Sequence, residues 1–439
     1  MIYWAPFLHL YQPPTQFHAV LKKICRESYR PLLDVFEANP NAKVTINICG
    51  VLTELLNDHG AADIIERMKK LAERGQLEFT GTSKYHAILP LIPEAEQLRQ
   101  IELNSNTNKY FFKKAFAPKG FFPPEMCYSK DILGPIHKTG HKWILLSGVA
   151  CADEWPMDKI YHAKVNSSTL SVLFRDDILS NKISFHTIDS KGFLEHLKGI
   201  AHALQKDGGQ AKEDAYVITA MDAETFGHHI QNWEKLFLQE VYDVLTCPSE
   251  DTYKNIKQRA DLAKAYKDFL SCGANKLIKV VTISELVEKF PKSKVIEPKK
   301  SSWSSSIEDL NNNNFYPLWI GNDNEVHGLQ WEHVKICLEM VYKALEAGKS
   351  GDSKNYASIS RMLLDRALHS CQFWWASRRP MWDINLVNKG LLMQDEVLLN
   401  AYKAIKMSGA EEEVKREYYH KIVAARDLMN KIKDRLFVF

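Results

Sequence analysis

Short apolar, β-rich runs alternate with stretches of helical spacing through roughly the first 290 residues of the chain. Ile2 to Leu8 and Lys43 to Ile48 (KVTINI) read as strands. Between Ala61 and Arg74, residues Ile64, Ile65, Met68, Leu71 and Ala72 recur at the spacing of one helix face. Gly75 offers a C-cap to that helix, and Gln76 to Gly81 (QLEFTG) predicts a third strand. Gly120 to Pro123, Lys142 to Leu146 and Leu170 to Phe174 predict three more. A helix around Phe193 to Gln205 is expected to end at Gly208–Gly209, ahead of Ala215 to Met221 (AYVITAM), the cleanest buried strand in the sequence. Lys279 to Ile283 leads into the helical SELVEKF. Strands that alternate with helices imply parallel pairing through crossover connections. Seven or eight such units suit a closed or nearly closed β/α barrel better than a flat doubly wound sheet, and this barrel is expected over residues 1–295.

The pattern changes near residue 290, where PKSKVIEPKKSSWSSS is rich in Pro, Lys and Ser and Asn311 to Asn314 reads as a loop. Residues 296–330 are therefore expected to form a connection that contributes to the site. Beyond it, Glu332 to Ala347, Ala357 to Ala376, Asp395 to Met407 and Glu411 to Leu436 carry helical spacing, as in Val334, Leu338, Val341 and Leu345. Residues 331–439 thus predict a helical domain packed on the barrel.

Composition narrows the classes. Of 439 residues, 45% are hydrophobic and 25% charged, which excludes wholesale disorder, a collagen repeat or a coiled-coil rod. Lys plus Arg exceed Asp plus Glu by only 57 − 54 = 3, and no basic stripe is present, so nucleic acid is not the expected partner. No two of the eight cysteines lie within 20 residues, which excludes CxxC zinc and redox motifs and favours reduced thiols in a cytoplasmic protein. MIYWAPFLHLYQPP lacks the basic start of a signal peptide, and no apolar run reaches the length of a membrane span. No GxGxxG follows the first strand and no GxxxxGK[ST] occurs, so no nucleotide cofactor is expected, and no metal. The 10 Trp, 17 Tyr and 20 Phe supply flat amphipathic rings of the kind that suit a sugar face, although most such rings pack in cores.

In a β/α barrel the reactive groups sit at the carboxyl ends of the strands. Polar residues follow six of the predicted strands: His9 and Gln12; Tyr85 and His86, with Glu78 inside the strand; Glu125; Asp153 and Glu154; Arg175, Asp176 and Asp177; and Asp222, Glu224, His228 and His229. Each has a bland reading as a solvated loop residue or a helix-start acid. Strand alternation puts Asp222 and Glu224 on one side, and two carboxyls at the end of a buried strand repel unless function or partners require them. In GFFPPE, Pro123 and Pro124 stiffen the approach to Glu125. Two carboxylates on facing strand ends, without a cofactor motif, suit glycosyl transfer.

These segments carry a resemblance. HLYQPP at 9–14, GQLEFTGTSKYHAILPLIP at 75–93, GFFPPEMCYS at 120–129, MDAETFGHH at 221–229 and the helical stretch with LLDRALHSCQFWWASRRPMWD resemble, in order, five motifs of glycoside hydrolase family 57. That family includes α-amylases, 4-α-glucanotransferases, amylopullulanases and branching enzymes. The resemblance implies a distorted TIM-like (β/α)7 barrel, a retaining mechanism, Glu125 as nucleophile, Asp222 as general acid/base and an α-glucan substrate. FRDDILSNKISF at 174–185 also reads like a family barrel segment and places Arg175 and Asp176 at the site. Two positions depart from the family pattern: Tyr11 stands where many members have a second His, and Ala87 where Pro is usual.

Around the two catalytic acids, the expected substrate-binding set is His9, as a hydrogen-bond donor to a sugar hydroxyl, Gln12, Glu78, His86, Arg175, Glu224, His228, Trp303 and Trp331. Arg175 is expected to orient a carboxylate by a bidentate pair, and plain packing is the alternative for both tryptophans. Water and a second sugar remain open as acceptors. Two other classes compete: a metal-dependent carbohydrate deacetylase on a related barrel, and a non-catalytic α-glucan-binding protein. Adjacent His228 and His229 would diverge on either a helix or a strand, which disfavours a shared metal.

Overall fold

The computed structural model describes residues 1–205, 214–246 and 277–438. The expected helix stop at Gly208–Gly209, and Cys247 and Cys272, lie outside the described residues. Ten strands are described: β1 (Ile2–Leu10), β2 (Val44–Ile48), β3 (Leu77–Thr80), β4 (Gly120–Phe121), β5 (Trp143–Leu146), β6 (Ile160–Val165), β7 (Ser168–Phe174), β8 (Ala215–Asp222), β9 (Ile278–Val280) and β10 (Lys292–Val295).

Seven of them form a parallel ring. β1 pairs with β8 on one side and β2 on the other, β2 pairs with β3, β4 with β5, and β5 with β7. Gly81, just past β3, bridges Phe121 of β4 in parallel. A side chain there is impossible, because a Cβ on Gly81 would stand 2.1 Å from the His141 ring. Past the end of β7, the Asp176 N–H donates to the Ile218 carbonyl of β8 at 2.8 Å. The order β8-β1-β2-β3-β4-β5-β7 thus returns to β8.

Strand alternation divides the apolar residues into two sets. Tyr3, Ala5 and Phe7 of β1 join Tyr216, Ile218 and Ala220 of β8 in one core with Phe122, Trp143, Leu145 and Leu173. Ile2, Trp4, Leu8 and Leu10 join a second core shared with the surrounding helices. The first set fills the barrel interior. β9 pairs only with the start of β1, Ile2 to Trp4, and the helix Ile283–Lys289 that follows places Ile283 and Leu286 in the interior core. A capping box between Thr282 and Glu285 starts that helix, which plugs the amino end of the barrel.

Several features differ from the sequence expectation: the helices expected from Glu332 and Asp395 begin earlier, at Glu325 and Ile384, and two differences change the connectivity. β6 was not anticipated; it pairs antiparallel with β7 across a tight turn at Asn166, whose φ of 53° is the left-handed conformation such turns require. The helix expected over Ala357 to Ala376 is instead Gly351–Ala367 followed by a short turn, Cys371–Trp374. The Gln372 amide donates to the Ala367 and His369 carbonyls, which satisfies groups freed by the break.

The chain divides into two compact units. One comprises Met1–Gln12, Gln16–Lys84 and Pro93–Trp303, and holds the barrel. The other comprises Pro13–Thr15, Tyr85–Ile92 and the chain from Ser304 onward. It is built on the helices Glu325–Ala347, Gly351–Ala367, Ile384–Lys406 and Glu412–Phe437. Val326, Trp375, Val387, Leu391, Ile432 and Leu436 pack together within it. Among the described residues no helix is long and apolar enough to cross a membrane.

Candidate active site

The interior face of the barrel sets the first part of the site. Above Phe7 and Ala220, the next inward positions on β1 and β8 are His9 and Asp222, which stand in register. Across β1 and β2, His9 is in register with Asn47, and across β2 and β3 Asn47 with Thr80. His9 Nδ1 lies 2.8 Å from Asn47 Oδ1, and Asn47 Nδ2 donates to Thr80 Oγ1 at 3.0 Å. All three side chains are buried, and burial lowers the His9 pKa to about 4, so the ring is neutral near pH 7.

Glu125 reaches the same end of the barrel from β4. Phe122 still faces the interior, and Pro123 and Pro124 stiffen the turn that follows. Glu125 and Met126 then adopt left-handed backbone conformations, with φ of 59° and 50°. Such conformations cost of the order of 1–3 kcal/mol each for non-glycine residues and persist only where packing enforces them. Trp303 fixes the result. Its indole Nε1 donates to Glu125 Oε2 at 2.8 Å, and its backbone N–H donates to the Glu125 carbonyl at 3.1 Å.

The Trp303 ring is the hub. It lies 6.0 Å from the His9 ring and 5.8 Å from that of Phe122, with the Arg175 guanidinium carbon 5.9 Å from its centroid. Arg175 is itself anchored: Nε donates to the Ala220 carbonyl at 2.7 Å, Nη1 to Asp177 and Nη2 to Asn181, each at 2.8 Å. It makes no bidentate carboxylate pair through these bonds; its charge acts on Asp222 through space. The structure therefore gathers Glu125, Asp222, His9, Arg175 and Trp303.

Burial and crowding set the protonation of the acids. Burial pushes Glu125 up to about 8, helped by the negative charge of Asp222 and opposed by the Trp303 N–H. Burial also raises Asp222, while the Arg175 guanidinium draws it back. Glu224 is raised by burial and by the charge of Asp222, against hydrogen bonds from Tyr29 and Gln12. The Asp222 charge thus bears on both glutamates, so ionising it disfavours ionising either of them.

The remaining candidates separate. At Ala223 the strand gives way to a 3-10 turn, so alternation stops and the Glu224 carboxyl goes to Gln12 Nε2, at 2.8 Å, and to the Tyr29 hydroxyl. His228 pairs through Nδ1 with Glu27 Oε2 at 2.9 Å. Gly227 between them has a φ of +99° and so little space that a Cβ would stand 1.9 Å from the Glu27 carbonyl oxygen. Glu78 lies in the layer below His9, in register with Thr45, where Oε2 accepts from Thr45 Oγ1 and from the Ser284 N–H, both at 3.1 Å. His86 and Trp331 belong to the helical unit. There His86 Nδ1 lies 2.9 Å from Ser370 Oγ, while Trp331 stacks on Phe373 at 4.1 Å and donates Nε1 to the Trp319 carbonyl. Among the described residues, no three His, Cys, Asp or Glu side chains form a metal-binding group.

Sequence reasoning missed Asn47 and Tyr29. An amide inside the apolar run KVTINI is a signal that was available. Tyr29 sits 195 residues from Glu224 and left none.

Residues 6–299 match the family described as Glycosyl hydrolase family 57. The chain belongs to that family. An α-amylase of Pyrococcus horikoshii is 26% identical over 248 residues, which is 54% of this chain and 36% of the relative. A 4-α-glucanotransferase of Thermococcus kodakarensis is also 26% identical over 248 residues, 54% of this chain and 35% of the relative. The family 57 chain described here thus spans little more than a third of the length of these curated relatives. The crystal structure of a family 57-type branching enzyme from Pyrococcus horikoshii superposes with a TM-score of 0.67 at 14% identity, covering 100% of this chain and 95% of that one. That likeness establishes the fold as the distorted TIM-like barrel with a carboxyl-terminal helical domain.

Proposed function

We propose that this family 57 protein is a retaining glycosidase or transglycosylase acting on α-glucans, with Glu125 as nucleophile and Asp222 as general acid/base. The observation that supports the reading best is the placement of these two half-buried carboxyls at the carboxyl end of the barrel strands, Asp222 in register with His9 and Glu125 held by the Trp303 indole N–H. In the first step Asp222 gives its proton to the glycosidic oxygen while the Glu125 carboxylate attacks the anomeric carbon. The carbon–oxygen bond breaks and the leaving chain departs as an alcohol. In the second step Asp222 takes a proton from water or a sugar hydroxyl, whose oxygen displaces Glu125. Both inversions together retain the anomeric configuration.

This cycle needs the proton on Asp222 and not on Glu125. In the ligand-free site, burial favours Glu125 as the holder, since Arg175 draws Asp222 down. A single proton shared by two coupled carboxyls passes to either, so the productive form is the one that substrate contacts select. Relatives named α-amylase and 4-α-glucanotransferase both match the chain, so water and sugar both stand as acceptors; the spacing of the cysteines supports the cytoplasm as the proposed compartment.

Incubation with maltoheptaose, followed by chromatography of the products and NMR of the first anomer released, tests the proposal. Products shorter than seven units, or a ladder on both sides of seven, carrying the α configuration at first release support it. The β anomer at first release, or full turnover by Glu125→Gln or Asp222→Asn, overturns it.

A further inference from the structure

Between the helices His18–Ile24 and Arg30–Ala38 the chain makes a single turn of π-helix, Cys25–Tyr29, closed by the Arg30 N–H on the Cys25 carbonyl. Such turns are rare and gather at functional sites. The last three residues of this one all meet the chain that follows Asp222. The Ser28 hydroxyl donates to the Ala223 carbonyl at 2.9 Å, and a carbonyl only accepts, so the direction of that bond is fixed. The Tyr29 hydroxyl bonds Glu224 Oε1. Glu27 closes on the far end of the same turn: its carboxylate pairs with His228 at 2.9 Å, and its carbonyl oxygen lies against Gly227, where only a glycine fits. Ser28 and Tyr29 are fully buried, so water does not compete for their bonds. Arg30, the next residue, makes two bonds of 2.7 Å to Asp63, which anchor the π-turn to the helix Ala62–Glu73.

We infer that the π-turn Cys25–Tyr29 is a clasp that positions the turn following Asp222, and that Tyr29 is the positioning residue in it that acts through Glu224. Asp222 ends β8, held on one side by its register with His9 of β1. On the other side its next two residues are gripped by consecutive side chains 195 residues away. The two grips differ in kind. Ser28 holds a neutral carbonyl and only places backbone. Tyr29 holds a titratable carboxyl, and whichever partner supplies the proton, a hydroxyl bonds an ionised carboxylate more strongly than a neutral acid. Facing Glu224 are Asp222 on β8, Gln12 past the end of β1, and Cys25 and Tyr29 of the π-turn. The Asp222 charge disfavours ionised Glu224, and the Tyr29 bond works against it. The clasp rests on the proposed function only for its effect on turnover; its contacts and the titration of Glu224 belong to the fold.

The test uses Tyr29→Phe and Ser28→Ala in the full-length chain, each checked for folding by circular dichroism. The Glu224 carboxyl is followed by ¹³C NMR of ¹³C-glutamate-labelled protein and assigned with Glu224→Gln. In Tyr29→Phe its titration should move to higher pH, because the bond that favours the ionised form is gone; in Ser28→Ala it should stay. Both variants should lower kcat on maltoheptaose, roughly tenfold for Tyr29→Phe and less for Ser28→Ala, with KM held within about twofold. An unmoved Glu224 titration in a folded Tyr29→Phe overturns the role of Tyr29. Unchanged kcat in a folded Ser28→Ala overturns the clasp, even if Tyr29→Phe does not fold. If the titration moves as expected but neither wild type nor variants act on any α-glucan, the proposed function fails and the hold of Tyr29 on Glu224 stands.

Discussion

Glu78 and Asp222 both occupy inward-facing positions on barrel strands, two residues apart in height, or roughly 6–7 Å. Glu78, in the lower layer, is held by the Thr45 hydroxyl and by the first turn of the helix that plugs the barrel. Burial raises its pKa, and every hydrogen bond it accepts works against that rise. Asp222, in the upper layer, has no hydrogen-bond donor among the described residues and relies on the through-space charge of Arg175. The same chemical group is thus satisfied in one layer and left reactive in the next. Donors delivered to a buried carboxyl make it part of the scaffold; withholding them leaves a proton to trade.

The sharpest challenge to that contrast is substitution in each layer. Asp222→Asn and Glu125→Gln should each lower kcat at least about 10³-fold. Glu78→Leu should leave kcat within about tenfold while lowering the melting temperature, because the Thr45 hydroxyl and the Ser284 N–H both lose their acceptor. Reversed magnitudes would break the comparison. Next in size is Trp303→Phe, which removes the N–H that stabilises ionised Glu125. We expect kcat/KM to fall roughly tenfold or more, and the acidic limb of its pH profile to move to higher pH. An unmoved limb would mean that the indole contact does not tune the nucleophile.

A smaller effect concerns stability. Glu125 binds its proton more tightly folded, near 8, than unfolded, near the usual glutamate value of about 4.3. Between those values the native state holds more protons than the unfolded one, so its contribution to stability is present at low pH and is lost as pH rises. Glu125→Gln should therefore melt several degrees above wild type at pH 8, with the gap closing toward pH 4; calorimetry at the two pH values decides it. Smallest is Trp331→Phe, which gives up one hydrogen bond and keeps a stacked ring. A modest loss in melting temperature with unchanged KM for maltoheptaose is expected, and a raised KM would return Trp331 to the sugar site.

The barrel was legible because parallel strands buried on both faces appear as nearly continuous apolar runs, so AYVITAM and KVTINI were found within a residue or two of β8 and β2. β6 (IYHAKV) escaped notice because it alternates with polar residues and ends in a turn whose signal, Asn166, was overlooked. In the site, Glu125, Asp222 and His9 stood out as titratable groups past apolar runs. Glu78 was read as a sugar-binding or network residue, and its bonds to Thr45 and Ser284 favour the network, since sequence shows that a residue lies in a strand but not which layer it fills. The indole bond to Glu125 was hidden: Trp303 was expected as a sugar platform, and only folding brings it to the carboxylate.

Trp303 stands 178 residues downstream of the acid it holds. A polypeptide still emerging from the ribosome passes through a stage in which every barrel strand up to β10 has been made while this indole remains in the exit tunnel. Glu125 therefore waits for its indole donor until a late-translated residue arrives, and the fall in kcat/KM expected of Trp303→Phe measures how much that late contact contributes.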